Sequence, residues 1–586
     1  MSFQHNFAMT FDPDAQPIEA DSFGARYVSL RGFDRFMEQI GQTDIGMVVW
    51  PGGSLAENDD DRYGIEFQDL YSGDYDRPGL SDLMDVARDE HLSLSIVLPT
   101  ARYEYDLEGL RADASGFFSD LFSGKFGDLP DKLVLEFGNE FYSHFDGATE
   151  AEQASHYADV VNTYAEVLHD LEDSYDIHPD NIEYSIQLGR TEDGNVSLIE
   201  HMSDDAITLP DMLSVHRFTC SPAAADRGID IVGIAKDLWA DSAEDLGGKA
   251  PGLYLSAYNA ASLSRIEAAE DFLSDPENAG LTLEDLDLEG RSHQAFEQHY
   301  QNMLAIRPLG MQHAETILQT FADYHAIGAE AAGVYGWDLT HTAASSYTEV
   351  DGTSHLFVGG QVQDMMAESL AGTRVLNWHD ANDHTDREAG TAYAFDSEDK
   401  LVLFLGGPKT VQDDMTVSID LRTIGSVQSV WAEGLRAEVP EDWQAMYGIP
   451  DVEGVDQTPE SLSYAEGIRE TVDLTQAGNM LTMSFSHPDE IIRLVFARTE
   501  TGASDIAEWS NSDPLEIDEE AYDELQAADG DAVIDASWLL THEDLPDVQF
   551  EAETDNSDGD ADDDSEGDFG ALLGVMLLGL LALGAN

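Results

Sequence analysis

The sequence predicts an α/β chain, a (β/α)8 TIM barrel with a C-terminal antiparallel β-sandwich. Between residues 25 and 339, eight short apolar runs alternate with stretches of helical periodicity. After residue 376 apolar residues recur at every second position between Gly, Asp and Asn turns. No Gly-rich phosphate loop follows the first run, and eight β-then-α units over 315 residues suit a closed barrel better than an open doubly wound sheet.

The eight runs are ARYVSL (25–30), IGMVVW (45–50), LSLSIVL (92–98), KLVLEFG (132–138), IEYSIQL (182–188), MLSVHRF (212–218), GLYLSAY (252–258) and AAGVYGW (331–337). Segments such as 152–172 and 311–328 carry apolar residues at helical spacing between them. Residues 21–375 are thus assigned to the barrel and 376–500 to the sandwich, with 438–470 reading as an insertion. The N-terminal segment 1–20 holds HNFAMTF (5–11), a candidate further strand of the sandwich. Residues 501–568 read as an acidic linker, its last part DNSDGDADDDSEGD (555–568) low in complexity. A hydrophobic tail, 569–586, closes the sequence. Its sixteen apolar residues (569–584) reach about 24 Å as a helix, short of a ~30 Å hydrocarbon core, which points to surface attachment or export rather than a full span.

Charge narrows the partners. Against 27 Lys and Arg stand 118 Asp and Glu, a net of −91. Nucleic acid and anionic membranes draw their affinity from Lys and Arg meeting phosphate, so neither is an expected partner. Such a surface stays soluble in brine or calcium-rich water, where screening relieves self-repulsion, and the acidic run could hold calcium loosely. With a single cysteine, Cys220, there is no internal disulfide framework. The N-terminus has neither a basic n-region nor an apolar h-region, so a secreted or cell-surface location without an N-terminal signal peptide is expected. His341, His355 and His379 are dispersed and lack metal-ligand spacing; neither a metal nor a cofactor is expected.

Barrel enzymes place their chemistry at the C-terminal ends of the strands. The fourth run ends in Asn139 and Glu140. A carboxyl after an apolar strand, buried with a raised pKa, is suited to general acid/base work, and the neighbouring amide to a sugar 2-hydroxyl. The second run is followed by WPGGSLAEN (50–58). Together these pieces resemble the clan A glycoside hydrolases, especially the β-xylosidase, α-L-iduronidase and α-L-arabinofuranosidase group and barrel modules of large secreted bacterial proteins. The resemblance covers roughly residues 20–500. It implies carbohydrate as the ligand, Glu140 as acid/base, His216 lining the sugar subsite, and Trp337 as an aromatic platform with Asp338 beside it. A packed core His and a barrel-plugging Trp are the competing structural readings of those two positions.

Two departures stand against it. The family nucleophile is a Glu at the end of the seventh strand, where this sequence has Ala257 between Ser256 and Tyr258, with Asn259 following. The Arg that precedes the Pro-Gly-Gly turn in the family is replaced by Val49 and Trp50. Three explanations remain: an engineered Glu-to-Ala substitution in a retaining enzyme, a natural pseudo-enzyme that binds glycans without cutting them, or an inverting route in which a carboxylate such as Asp338 works with Glu140. The rival to an enzyme is therefore a secreted glycan-binding or matrix protein.

Overall fold

Eight parallel strands close into a barrel in chain order: β1 (Gly24–Arg26), β2 (Met47–Trp50), β3 (Ser93–Leu98), β4 (Leu133–Phe137), β5 (Ile182–Gln187), β6 (Met212–Thr219), β7 (Gly252–Ala260) and β8 (Ala329–Val334). The barrel shuts where Gly24 pairs with Met47 on one side and Gly333 on the other. A Cβ at Gly24 would stand 2.5 Å from the Ala332 carbonyl oxygen, so the closure needs glycine. The computed structural model describes residues 2–10, 16–27, 32–57, 67–71, 77–219, 221–225, 228–261, 263, 265–278, 280–288, 292–304, 310–337, 343–348, 353–380, 391–407, 415–421, 424, 426–441, 465–510, 513–517 and 533–541. Each of the eight apolar runs contributes a barrel strand, though residues 28–30 of the first lie outside the described residues and β8 ends three residues before Trp337.

Strand alternation sorts the side chains. Met47, Val49, Val134, Met212, Tyr254 and Ala331 form an apolar plug separate from the main core. Two residues beyond Val134 and Tyr254 stand Glu136 and Ser256, on the same inward face and nearer the C-terminal ends of their strands. The outward faces of the strands pack on the helices. On the helix Glu150–Leu171, Ala154, Tyr157, Ala158, Val161, Ala165 and Leu168 recur every three or four residues and are all buried. Each large aliphatic side chain so buried contributes about 1.5–3 kcal/mol relative to exposure. Thr149 caps this helix by accepting from the Glu152 N–H, and Asp106 caps the helix Leu107–Phe122 through the Gly109 N–H.

Two antiparallel sheets make the sandwich. One runs Arg374–Val375, Thr391–Asp396, Lys400–Gly406, Ile491–Ala497, Ser429–Glu438, Glu466–Thr471, with Leu515–Glu516 added to Ser429–Glu438. It is apolar on both faces: Phe395, Val402, Phe404 and Val495 join the barrel core, while Leu401, Leu403, Leu405 and Leu494 face the second sheet. That second sheet runs Asn377–Asp380, Ser2–Thr10, Val533–Thr541, Met415–Asp420, Met480–Phe485, Thr475–Ala477.

Two expected boundaries are corrected. The segment 501–568 is not linker throughout: the helix Glu500–Trp509 and the strands Leu515–Glu516 and Val533–Thr541 belong to the sandwich. The alternation VIDASWLL (533–540) is a strand pattern that the surrounding acidic composition obscures. Likewise the insertion 438–470 ends in a sandwich strand, Glu466–Thr471. Residues 442–464, 542–568 and the tail 569–586 lie outside the described residues; among the described residues no helix is long and apolar enough to cross a membrane.

Barrel and sandwich meet over a buried ionic cluster. Arg469 reaches Asp364 at 2.8 Å and Glu433 at 2.9 Å, and Arg493 reaches Glu368 at 2.8 Å and Glu433 at 3.0 Å. Asp364 and Glu368 come from the helix Val358–Leu370, the other three from sandwich strands.

Candidate active site

The chain bends sharply where β4 leaves the barrel. Gly138 has φ +82°, and a Cβ there would stand 2.4 Å from Thr100 Oγ1. Glu140 follows at φ +47°, a left-handed conformation uncommon for a residue with a side chain and one that functional sites tend to hold. Glu57, in the loop after β2, fixes this bend. Its carboxylate accepts from the N–H of Thr100 (2.8 Å), Ala101 (2.7 Å) and Asn139 (2.9 Å) and from the Thr100 hydroxyl (2.6 Å).

Glu140 is 7% exposed, and its Oε1 lies 3.0 Å from Nδ1 of His216 on β6. The His216 imidazole is 3% exposed and presents its Nε2 3.8 Å from Glu136 Oε1. Glu136 in turn accepts from Arg26 (2.9 Å) and from the Ser256 hydroxyl (2.7 Å). Arg26 also approaches Asn139 Oδ1 at 3.4 Å and His216 Nε2 at 3.5 Å. Three strands and the turn after β4 thus supply a buried chain of alternating charge: Arg26 from β1, Glu136 and Glu140 from β4 and its turn, and His216 from β6.

The charges settle one another. Burial pushes the Glu140 carboxyl up, but the hydrogen bond and charge of His216, with His144 and Arg190 further off, outweigh it and hold it below the ordinary value. Burial pulls His216 down, but Glu136 and Glu140 on its two sides win against it and against the opposing charge of Arg26, so it is raised. Glu136 is likewise lowered, burial notwithstanding, by Arg26 and His216. The raised pKa expected of Glu140 is corrected accordingly. Burial alone would have given it; the imidazolium beside it reverses the sign.

The other expected positions are arranged as follows. Ala257 is 1% exposed and stands beside His216 in the β6–β7 ladder. It forms a small apolar cluster with Tyr335, against which Phe218 packs edge-on to the tyrosine at 5.4 Å between ring centroids. Asn139 is in the Arg26 network. Asn259 spends its polar atoms inside the protein: Nδ2 donates to the carbonyls of Tyr335 (2.6 Å) and Ala343 (2.8 Å), and Oδ1 faces His313 Nε2 (2.6 Å). Burial lowers His313 to about 4, so it is neutral and can donate here. Tyr258 lies on the outer side of β7 in the main core, its hydroxyl 3.1 Å from Gln363. Trp337 is fully buried in the main core, and Asp338 lies outside the described residues. The structure therefore gathers Asn139, Glu140, His216 and Ala257 and sets Tyr258, Asn259 and Trp337 into the scaffold around them.

Sequence reasoning missed Arg26, Glu57, Glu136, Tyr335 and Phe218. Arg26 had a signal. It pairs with Val49 in the β1–β2 ladder, so a guanidinium enters one strand away from the position where the resemblance put it. Among the described residues no group of three or more His, Cys, Asp or Glu is placed to hold a metal ion.

No protein-family profile matches the chain, and no curated protein matches it in sequence. Solved structures do match in fold. The GH51 arabinofuranosidase of Xanthomonas axonopodis pv. citri aligns over 85% of this chain and 100% of its own at 12% identity, with a TM-score of 0.53. The α-L-arabinofuranosidase of Thermotoga maritima aligns over 83% of this chain and 99% of its own at 14% identity and a TM-score of 0.52. A family 51 α-L-arabinofuranosidase of Bifidobacterium longum aligns over 84% and 100% at 12% identity and a TM-score of 0.53. The fold is that of the clan A glycoside hydrolases, barrel and sandwich together.

Proposed function

We propose that this chain binds an oligosaccharide or polysaccharide at the C-terminal mouth of its barrel, around Glu140, and does so without cutting it. The fold it shares with glycoside hydrolases supports a carbohydrate ligand. The observation that carries the non-hydrolytic reading is the pair on either side of the site. Retaining hydrolysis needs a protonated acid and an ionised nucleophile about 5–5.5 Å apart. Here the acid position, Glu140, is held ionised by His216, and the nucleophile position, Ala257, is a methyl packed with Tyr335. An ionised carboxylate accepts hydrogen bonds from sugar hydroxyls, and aromatic side chains such as Tyr335 and Phe218 suit the C–H faces of a pyranose or furanose.

The test is titration of the full chain against a broad oligosaccharide panel, with the products analysed after long incubation. Binding without release of reducing ends is expected. Release of product that is lost in Glu140→Gln would restore the enzymatic reading, and binding of nothing in the panel would remove the carbohydrate.

A further inference from the structure

Arg190 stands out among the arginines. It follows β5 by three residues, and its guanidinium carbon lies 4.2 Å over the ring of Tyr142, two residues after Glu140. Acidic groups outnumber basic ones by more than four to one in this chain, so carboxylate partners for an arginine are plentiful. Arg26, Arg88, Arg111, Arg436, Arg469 and Arg498 each hydrogen-bond one. Arg190 does not. Its nearest carboxylate contact is a single approach of 3.9 Å from Nε to Glu150 Oε2, and the other Glu150 oxygen accepts from the Thr191 N–H at 2.9 Å.

The side chain is 39% exposed. Stacking on Tyr142, itself 8% exposed, holds the guanidinium plane without engaging its terminal nitrogens, and among the described residues Arg190 makes no hydrogen bond. Such a stack is worth only about 0.5–1 kcal/mol at an exposed site, less than a fork-shaped pair with an oxyanion. A planar donor fork, pre-oriented and open on one side, is the geometry that recognises carboxylate or sulfate. It also lies close enough to Glu140 for its charge to act there.

We propose that Arg190 is a specificity-determining residue for an anionic sugar, whose carboxylate or sulfate ester it takes while the neighbouring ring positions sit over Glu140. This rests on the carbohydrate-binding reading and names its ligand class. The net charge of −91 opposes an anion at long range, but at 1 M salt the Debye length falls to ~3 Å and the direct contact decides.

The experiment compares matched pairs at ~1 M salt. Tetragalacturonate is set against its carboxyl-reduced form, and a sulfated carrageenan tetrasaccharide against its desulfated form, each titrated into the full chain and into Arg190→Met and Arg190→Lys. The charged member of at least one pair is expected to bind about tenfold tighter or better, and the pair showing the preference identifies the anion. Arg190→Met should erase the ratio of charged to neutral binding, with Arg190→Lys intermediate because it keeps charge without the fork. Equal binding of charged and neutral members, or a preference that survives Arg190→Met, overturns the assignment while the carbohydrate reading stands. If no oligosaccharide of a broad panel binds, neutral or acidic, both fall.

Discussion

His216 Nδ1 and Glu140 Oε1 stand 3.0 Å apart inside the barrel mouth, each charge made tolerable by the other. Glu140 is lowered, so its contribution to stability is present above the unfolded value of ~4.3 and is lost as pH falls through the folded value. His216 is raised, so its contribution is full below ~6.5 and is lost as pH rises through its folded value. His216→Asn should therefore destabilise most between about pH 4.3 and 6.5, by about 3–5 kcal/mol at the upper end for a broken buried pair. Denaturant unfolding of both proteins from pH 4 to 9 checks this. A gap that widens above pH 7 would show that the pair is not charged.

Glu57 satisfies four donors, three of them buried, at the base of the β4 bend. Glu57→Ala leaves them without that acceptor and is expected to cost several kcal/mol, at roughly 1–3 kcal/mol per orphaned group with partial relief by water. Glu57→Gln, which keeps one oxygen, should cost less. Carbohydrate affinity should fall in the same order, because the Asn139–Glu140 backbone hangs from this carboxylate. Equal stabilities for the two variants would remove the clamp.

Ala257→Glu places a carboxylate beside Tyr335 and next to His216 in the ladder. Burial of a charge in that apolar corner should lower the melting temperature by several degrees. It should not start hydrolysis of an unactivated oligosaccharide, since Glu140 would still be ionised and no proton donor would face the leaving group. Retaining turnover of such a substrate by this variant would falsify the non-hydrolytic reading.

Asp364, at the seam between barrel and sandwich, is pushed up to about 7 by burial and by Glu368, with Arg469 opposing. Its proton is bound more tightly in the folded chain, so stability is lost as pH climbs from about 4, the unfolded value, to about 7. Asp364→Asn does not titrate. Relative to the parent it should gain a few kcal/mol at most between pH 4 and 7 and no more above that. A variant that instead loses ground at pH 8 would show the Arg469 contact to outweigh burial.

The barrel was legible because each strand is a compact apolar run and each intervening helix repeats at 3.6 residues; closure and order follow from counting eight. The position of Glu140 followed in the same way, from its place at a strand end. Its charge state did not. That depends on His216, 76 positions later, meeting it across two strands, and no local pattern announces such a meeting. Arg26 was hidden for the related reason that a side chain entering from β1 can do from next door what an arginine on β2 would do. Val533–Thr541 was lost in composition, because the acidic residues around it outweigh a two-residue period.

The sandwich has one further property, which concerns time. Ser2 pairs with Thr541 and Thr10 with Val533, so two neighbouring strands of one sheet are made more than five hundred positions apart. At 5–20 residues per second, a ribosome takes roughly half a minute to two minutes to deliver that partner. The barrel strands emerge complete long before then and pair mostly with their immediate successors. Residues 7–10 can pair with Asn377–Asp380 once the barrel strands are made, but the other edge of Ser2–Thr10 must wait, open to any passing sheet edge. In this chain the order of synthesis and the order of assembly therefore diverge, and a chaperone that shields residues 2–10 would act on the sandwich rather than on the pairing of the barrel strands.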